Sequence, residues 1–404
     1  MSEEMKNLNN EPEQAPVEKE EAKKPLDKKN IIIIAAAAVV VVIAIVLALV
    51  LGGGQPANNG GNEGGNEGGA TLNEYTLGLG VAFGEIKIGE ANITAATVVL
   101  DKDGKIVACK IDAIQNKFAA DFDNDSFSFT KLDTKKELKE AYGMEGNQWS
   151  SDNDEDGRVL EWYKQAEAFE AWCVGKTLAE VEDAGKEENL QNAHDHWFTT
   201  DADLLAAGCT IQIGDFVKAV VNAGNDEFKV TFKSEGSFTL GLAANNSDNG
   251  SSVANDVATI KMNVALAAVV VEGGKTVAVL NDAIQPQITY DYDGNVSEVS
   301  VGKGANNLKT KRELKEAYGM EGNQWSSDND EDGRILEWYK QSAAFSTFVT
   351  GKTEAEIKAL GAEENLQNKN DHMITTDAGL LAAGCTIQIG DIVDVVVEAI
   401  GYTK

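Results

Sequence analysis

Two short acidic stretches place oxygen ligands at a spacing that suits metal binding. Asp152, Asp154 and Asp156 alternate ahead of Gly157, Arg158 and Val159, and the pattern recurs at Asp328, Asp330 and Asp332 ahead of Gly333, Arg334 and Ile335. Three carboxylates at alternate positions can converge on one hard cation, the glycine allows the sharp turn that gathers them, and the carbonyl of Arg158 or Arg334 can add a further oxygen. Calcium is the cation such a set suits. Glu161 and Glu337 are the remaining candidate ligands, two places before Tyr163 and Tyr339, which stand where a bidentate glutamate would complete the loop. The competing reading is a solvated acidic turn that caps the next helix.

The acidic stretches resemble the first half of a calcium loop of the EF-hand kind. A second constellation runs through Asp201, Gly208 and Thr210, with Asp377, Gly384 and Thr386 as its twin. It follows a strand pair and precedes a helix, and so resembles the bacterial FMN-binding domain of extracytoplasmic electron-transfer proteins. In that family a flavin transferase links FMN by a phosphoester to the last residue of a D-x-x-[ST]-G-A-[ST] motif. The resemblance implies that Thr210 and Thr386 accept FMN, that Gly208 and Gly384 let its phosphate approach, and that a flavin transferase or a cell-surface redox partner acts on the chain. Ala207 and Ala383 stand where the family has Ser or Thr, Cys209 and Cys385 stand for its Ala, and Asp201 and Asp377 lie nine rather than six residues before the threonine. A small-residue turn that packs strand against helix is the alternative.

Other chemistry-bearing residues give weaker signals. Cys109 and Cys173 are replaced by Val279 and Val349 in the second copy, which fits either a disulfide or two buried thiols. His194 and His196 have only His372 as a counterpart, and Gly78-Leu-Gly80 lacks the last spacing of a dinucleotide fingerprint. No nucleophile with a partnered base stands out, so an ordinary hydrolase is disfavoured.

What positions these residues is a duplication. Lys136 to Gln165 returns as Arg312 to Gln341 with 28 of 30 positions identical, and weaker matches extend the repeat to residues 71–225 and 226–404. Within a copy, strands come first: Asn92 to Leu100 and Lys105 to Ala113 flank Asp103-Gly104, and Phe118 to Phe122 with Ser126 to Phe129 read as a second hairpin. Helices follow. Thr134 and Glu137 form a capping box, Leu160, Tyr163, Ala166, Phe169 and Cys173 recur at helical spacing, and Asp215 to Ala223 reads as a closing helix. The expected class is α+β, two tandem copies of an antiparallel sheet with helices packed on it.

Residues 31–51 are apolar without interruption, long enough as a helix to span a bilayer, and Lys23, Lys24, Lys28 and Lys29 precede them. That pattern predicts a single-pass signal anchor in the plasma membrane, with residues 1–30 a charged cytoplasmic tail and both copies extracellular. Residues 52–70, nine of them glycine, form a flexible linker. A formal net charge of -31 excludes nucleic-acid partners and favours divalent cations. Two functions fit: a surface module that binds a ligand or carries electrons through flavin, and a calcium-stabilised structural or adhesive repeat without redox chemistry.

Overall fold

The computed structural model describes residues 72–130, 133–145, 160–193, 196–301, 308–321, 336–369 and 372–404. The expected anchor, the linker and the acidic stretches at 152–158 and 328–334 lie outside the described residues. Among the described residues no helix is long and apolar enough to cross a membrane.

The architecture is α+β, with antiparallel sheets and helices. The first half contributes β1 (Asn73–Lys87), β2 (Glu90–Asp101), β3 (Ile106–Asp121), β4 (Ser126–Thr130), α1 (Lys135–Leu138), α2 (Trp162–Cys173), α3 (Leu178–Ala184), β5 (Leu190–Ala193), β6 (His196–Thr199), α4 (Ala202–Ala206) and α5 (Gly214–Asn225). The second contributes β7 (Val230–Ser234), β8 (Thr239–Asp248), β9 (Ser252–Ala254), β10 (Val257–Glu272), β11 (Lys275–Ile284), β12 (Pro286–Asp291), β13 (Val296–Val301), α6 (Lys311–Leu314), α7 (Trp338–Val349), α8 (Glu354–Leu360), β14 (Leu366–Lys369), β15 (His372–Thr375), α9 (Ala378–Ala382) and α10 (Gly390–Gly401). The larger sheets run β4-β3-β2-β1-β7 and β11-β10-β12-β13, with β8 and β9 also on β10.

Local chemistry explains the turns and starts. Asp101 accepts the Asp103 and Lys105 amides at 2.9 Å each, which closes the β2–β3 hairpin around Gly104, whose φ of 76° suits glycine. The capping box at Thr134 forms as its sequence predicts, and its twin forms at Thr310. Helix α1 nevertheless stops at Leu138, because Lys139 turns to a φ of 48° and the chain continues as a 3-10 turn to Tyr142.

Helix α5 lies directly on β1. A Cβ at Gly78 would stand 1.9 Å from the Ala223 carbonyl oxygen, and one at Gly80 would stand 2.1 Å from the Ala223 nitrogen. The Gly78-Leu-Gly80 pair therefore serves backbone contact, and Gly241 does the same beneath Ala399 of α10.

Alternation along the strands sends apolar residues to two cores. In β2, Ala96, Val98 and Leu100 face the helices of the first half, while Ile93, Ala95 and Val99 face the other way. They join Val264, Leu266, Ala268 and Val270 of β10, whose intervening Ala265, Ala267 and Val269 face the second set of helices. The two sheets thus stack face to face with helices outermost, and the halves share a core. Each fully buried Leu or Ile there contributes roughly 1.5–3 kcal/mol.

The boundary expected at 225/226 does not separate the hydrogen bonding. Strand β7 lies beyond it yet pairs with β1, from Asn73 opposite Ser234 to Leu77 opposite Val230, and Phe232 stacks on Tyr75 at 5.6 Å. It covers the outer edge of β1 from Asn73 to Leu77, which would otherwise stand unpaired.

Candidate functional site

The residues singled out by the flavin resemblance have structural roles in both halves. Asp201 is the N-cap of α4: its carboxylate accepts the Leu204 amide at 2.8 Å and the Trp172 indole N–H at 3.2 Å. Asp377 caps α9 through the Leu380 amide at 2.8 Å. Gly208 holds a φ of 92° over Leu160, whose Cδ1 would lie 2.6 Å from an added Cβ, and Gly384 does the same over Leu336 at 2.9 Å. The backbone N–H and hydroxyl of Thr210 both donate to Gln165 Oε1, at 2.8 and 3.2 Å, and Thr386 repeats this with Gln341 at 2.7 and 3.1 Å. Burial pushes the adjacent Cys209 and Cys385 thiols up to about 12, which keeps them protonated and unreactive.

Of the candidate metal ligands, Asp152, Asp154, Asp156, Arg158 and their twins lie outside the described residues. Glu161 and Glu337 are described and buried. The two oxygens of Glu161 accept the amides of Met144 and Glu145 at 3.0 and 2.8 Å, and those of Glu337 accept Met320 and Glu321 at 3.0 and 2.9 Å. Each carboxylate therefore ties together the chain on either side of an acidic stretch. Among the described residues no three His, Cys, Asp or Glu side chains cluster as a metal site.

The two constellations nonetheless converge. Gln165, which holds Thr210, donates its own amide to the Leu160 carbonyl at 2.7 Å and approaches Met144 Sδ at 3.4 Å. One buried glutamine thus joins the threonine turn to both flanks of the acidic stretch, and Gln341 repeats the arrangement. In the second half these elements border a cleft of about 410 Å³ whose walls include Lys311, Tyr318, Met320, Trp338, Gln388 and Asp391. Lys311, only 8% exposed, points its ammonium at the faces of Tyr318 and Trp338, 5.1 and 5.3 Å from the ring centres. Lys135 does the same in the first half against Tyr142 and Trp162, at 5.0 and 5.5 Å. Tyr142 and Tyr318 are fixed in turn by donating to Gln115 and Gln285, at 3.2 Å each. A cation held against aromatic faces beside a cleft suits an anionic ligand with an apolar body.

No family model, curated protein or solved structure matches this chain.

Sequence reasoning missed a second place, the seam where the halves meet. There the C-terminal end of each closing helix reaches the first helix of the other half. Asp226, the C-cap of α5, pairs with Arg312 at 2.9 Å, and its counterpart Tyr402, the C-cap of α10, donates to Glu137 at 2.7 Å. The first-half seam holds a cavity of about 540 Å³ lined by Asp112, Lys136, Glu137, Tyr163 and Tyr402 among others. Burial pushes the Asp112 carboxyl up to about 6 despite the Thr134 hydroxyl and the Lys136 ammonium. Burial opposes the charge on Lys136, but its contact with Glu170 outweighs this and holds its pKa above the ordinary lysine value. Burial and the neighbouring Glu137 carboxylate push Glu398 up to about 7. No local sequence pattern marks these contacts, whose partners lie 86 and 265 residues apart.

The cysteine alternatives resolve to buried free thiols. Cys109 lies against Cys173, and that hydrogen-bonding neighbour, together with burial, holds its pKa well above the usual thiol value.

Proposed function

We propose that this chain is a single-pass plasma-membrane protein that displays two fused copies of one α+β domain outside the cell, and that each copy binds a ligand in its lysine-walled cleft. The observation that carries this reading is the second-half cleft walled by Lys311 against Tyr318 and Trp338, with the same lysine–aromatic wall repeated at Lys135, Tyr142 and Trp162. FMN is the ligand implied by the resemblance, and it suits the walls: a phosphate for the Lys135 or Lys311 ammonium and a flat apolar body for the space beside it. Phosphoester formation at Thr210 or Thr386 additionally requires the hydroxyl to leave its glutamine, so reversible binding is the less demanding form.

FMN titrated into the full chain should quench tryptophan fluorescence saturably, and Lys135→Met with Lys311→Met should weaken binding by about tenfold or more. Coexpression with a flavin transferase should add flavin-phosphate mass that Thr210→Ala with Thr386→Ala removes. Absence of both saturable binding and adduct would reject the flavin, and protection of both halves from protease on intact cells would reject the topology.

A specific observation favours a second reading, the calcium-stabilised surface repeat. Glu161 and Glu337 bond the chain on the far side of each acidic stretch, and carboxylates spaced as closely in sequence as these repel one another unless a cation binds. Millimolar calcium should raise the melting temperature, and Asp154→Ala with Asp330→Ala should abolish the rise; no shift leaves an acidic turn.

A further inference from the structure

The seam of the second half differs from that of the first by a missing carboxylate. In the first half Glu170, buried on α2, accepts the Ile111 amide at 2.7 Å and forms ion pairs with Lys136 and, at 3.4 Å, with Lys110. In the second half Ser346 occupies the position of Glu170, Asn281 that of Ile111 and Arg312 that of Lys136. A cavity of about 410 Å³ lies there, lined by Arg312, Asn281, Ser346, Phe228, Tyr339 and Lys233 among others.

Its polar lining is unevenly satisfied. Asn281 donates to Ser346 Oγ at 2.7 Å and accepts from Ser342 Oγ at 2.8 Å, so those groups already partner one another. Arg312 is different. Its side chain is 5% exposed and its Nη2 reaches Asp226, while Nη1 is buried with no hydrogen-bond partner among the described residues. An unsatisfied guanidinium N–H in a buried setting is costly, and the carboxylate that serves the equivalent lysine is absent from this half. Lys233 on β7 adds a second cation to the cavity wall.

We propose that this cavity binds a small free carboxylate, held by Arg312 Nη1 where the Glu170 carboxylate stands in the first half. The site is separate from the lysine-walled cleft and stands or falls without it. The second half would thereby take from solution the group that the first half carries on its own chain.

The test is a thermal-shift and NMR titration of the full chain in detergent with acetate, with acetamide as the uncharged isostere and sulfate matched for ionic strength. Acetate alone should bind saturably and raise the melting temperature. Ser346→Glu should supply the carboxylate internally, raise the melting temperature without acetate and remove the acetate response. Arg312→Lys, which keeps the charge but loses the spare N–H, should weaken acetate by about tenfold. No acetate-specific response, an equal response to acetamide or sulfate, or an undiminished response in folded Ser346→Glu would overturn the proposal. Because Ser346→Glu is expected to stabilise, a loss of stability in that variant would count against it as well.

Discussion

The lysine–aromatic walls and the seams teach opposite lessons about how far the two halves match. In the walls, Lys135 and Lys311 meet an equivalent tyrosine and tryptophan at distances that agree within about 0.2 Å (5.0 and 5.5 Å against 5.1 and 5.3 Å). At the seams the pairing is different in kind. Lys136 finds its carboxylate within its own helical layer, at Glu170 of α2, whereas Arg312 finds one at Asp226, the C-cap of the first half's closing helix α5. Tyr402 and Glu398 at one seam correspond to Asp226 and Asn222 at the other. Each lysine–aromatic wall comes from one half alone, so matching residues reproduce the environment. Each seam is built from unlike ends of the chain, one continuing into β7 and the other near residue 404, so equal positions meet unequal neighbours.

The comparison can be broken from its strongest contact downward. Asp226→Ala leaves the buried Arg312 guanidinium without its anion and should cost about 3–5 kcal/mol in chemical denaturation. Glu170→Ser imports the second-half residue into the first seam and should cost about half as much, since Lys136 keeps more access to water, with side-chain exposure of 22% against 5% for Arg312. Equal losses would mean that the two seams are energetically alike. Gly80→Ala imports Ala243 in the same way. It should cost about 1–3 kcal/mol or more, because the new Cβ meets α5 backbone at 2.1 Å. A neutral result would show that α5 can lift from β1.

The smallest expected effect is one of pH. Glu398 rises from an ordinary 4.5 to about 7, and Asp112 and Asp282 rise from 3.8 to about 6. A carboxyl whose pKa is raised on folding binds its proton more tightly in the native state, so its contribution is largest at low pH and declines as pH climbs through the folded pKa. The two aspartates act alike at both seams and finish near pH 6. Glu398 alone among these three extends the decline toward pH 7, and the second seam has Asn222 in its place. Glu398→Gln should therefore flatten the fall in melting temperature from about pH 4.5 to 7, and between pH 6 and 7, where the aspartates have finished, it should remove most of what remains.

Much of the local structure was legible. The Asp103-Gly104 hairpin, the Thr134 capping box and the closing helix at Asp215 to Ala223 all follow from turn chemistry and apolar spacing, and each forms. The shared core also leaves a signal in the sequence. Ala95 to Leu100 and Val264 to Val271 are nearly continuous apolar runs, the pattern of strands buried on both faces, whereas a sheet with one wet face would alternate. The pairing of β7 with β1 and the ion pair of Asp226 with Arg312 were not legible, because they depend on how the repeats dock. At the site, the sequence marked Thr210, Gly208 and Asp201 as a group but not Gln165, which organises them. A glutamine on a buried helix face carries no motif, and its role appears only when its three partners are in place.

The core between the two sheets makes the two halves one body. Native-state hydrogen exchange on the chain carrying Leu266→Ala tests it most directly, because Leu266 is fully buried on the shared face and belongs to the second half. The truncation should cost about 2–5 kcal/mol. If the core is shared, the most protected amides of β2 and β10 should lose protection together and by similar amounts. Loss confined to β10, with β2 unchanged, would contradict the account and return the halves to two independent domains.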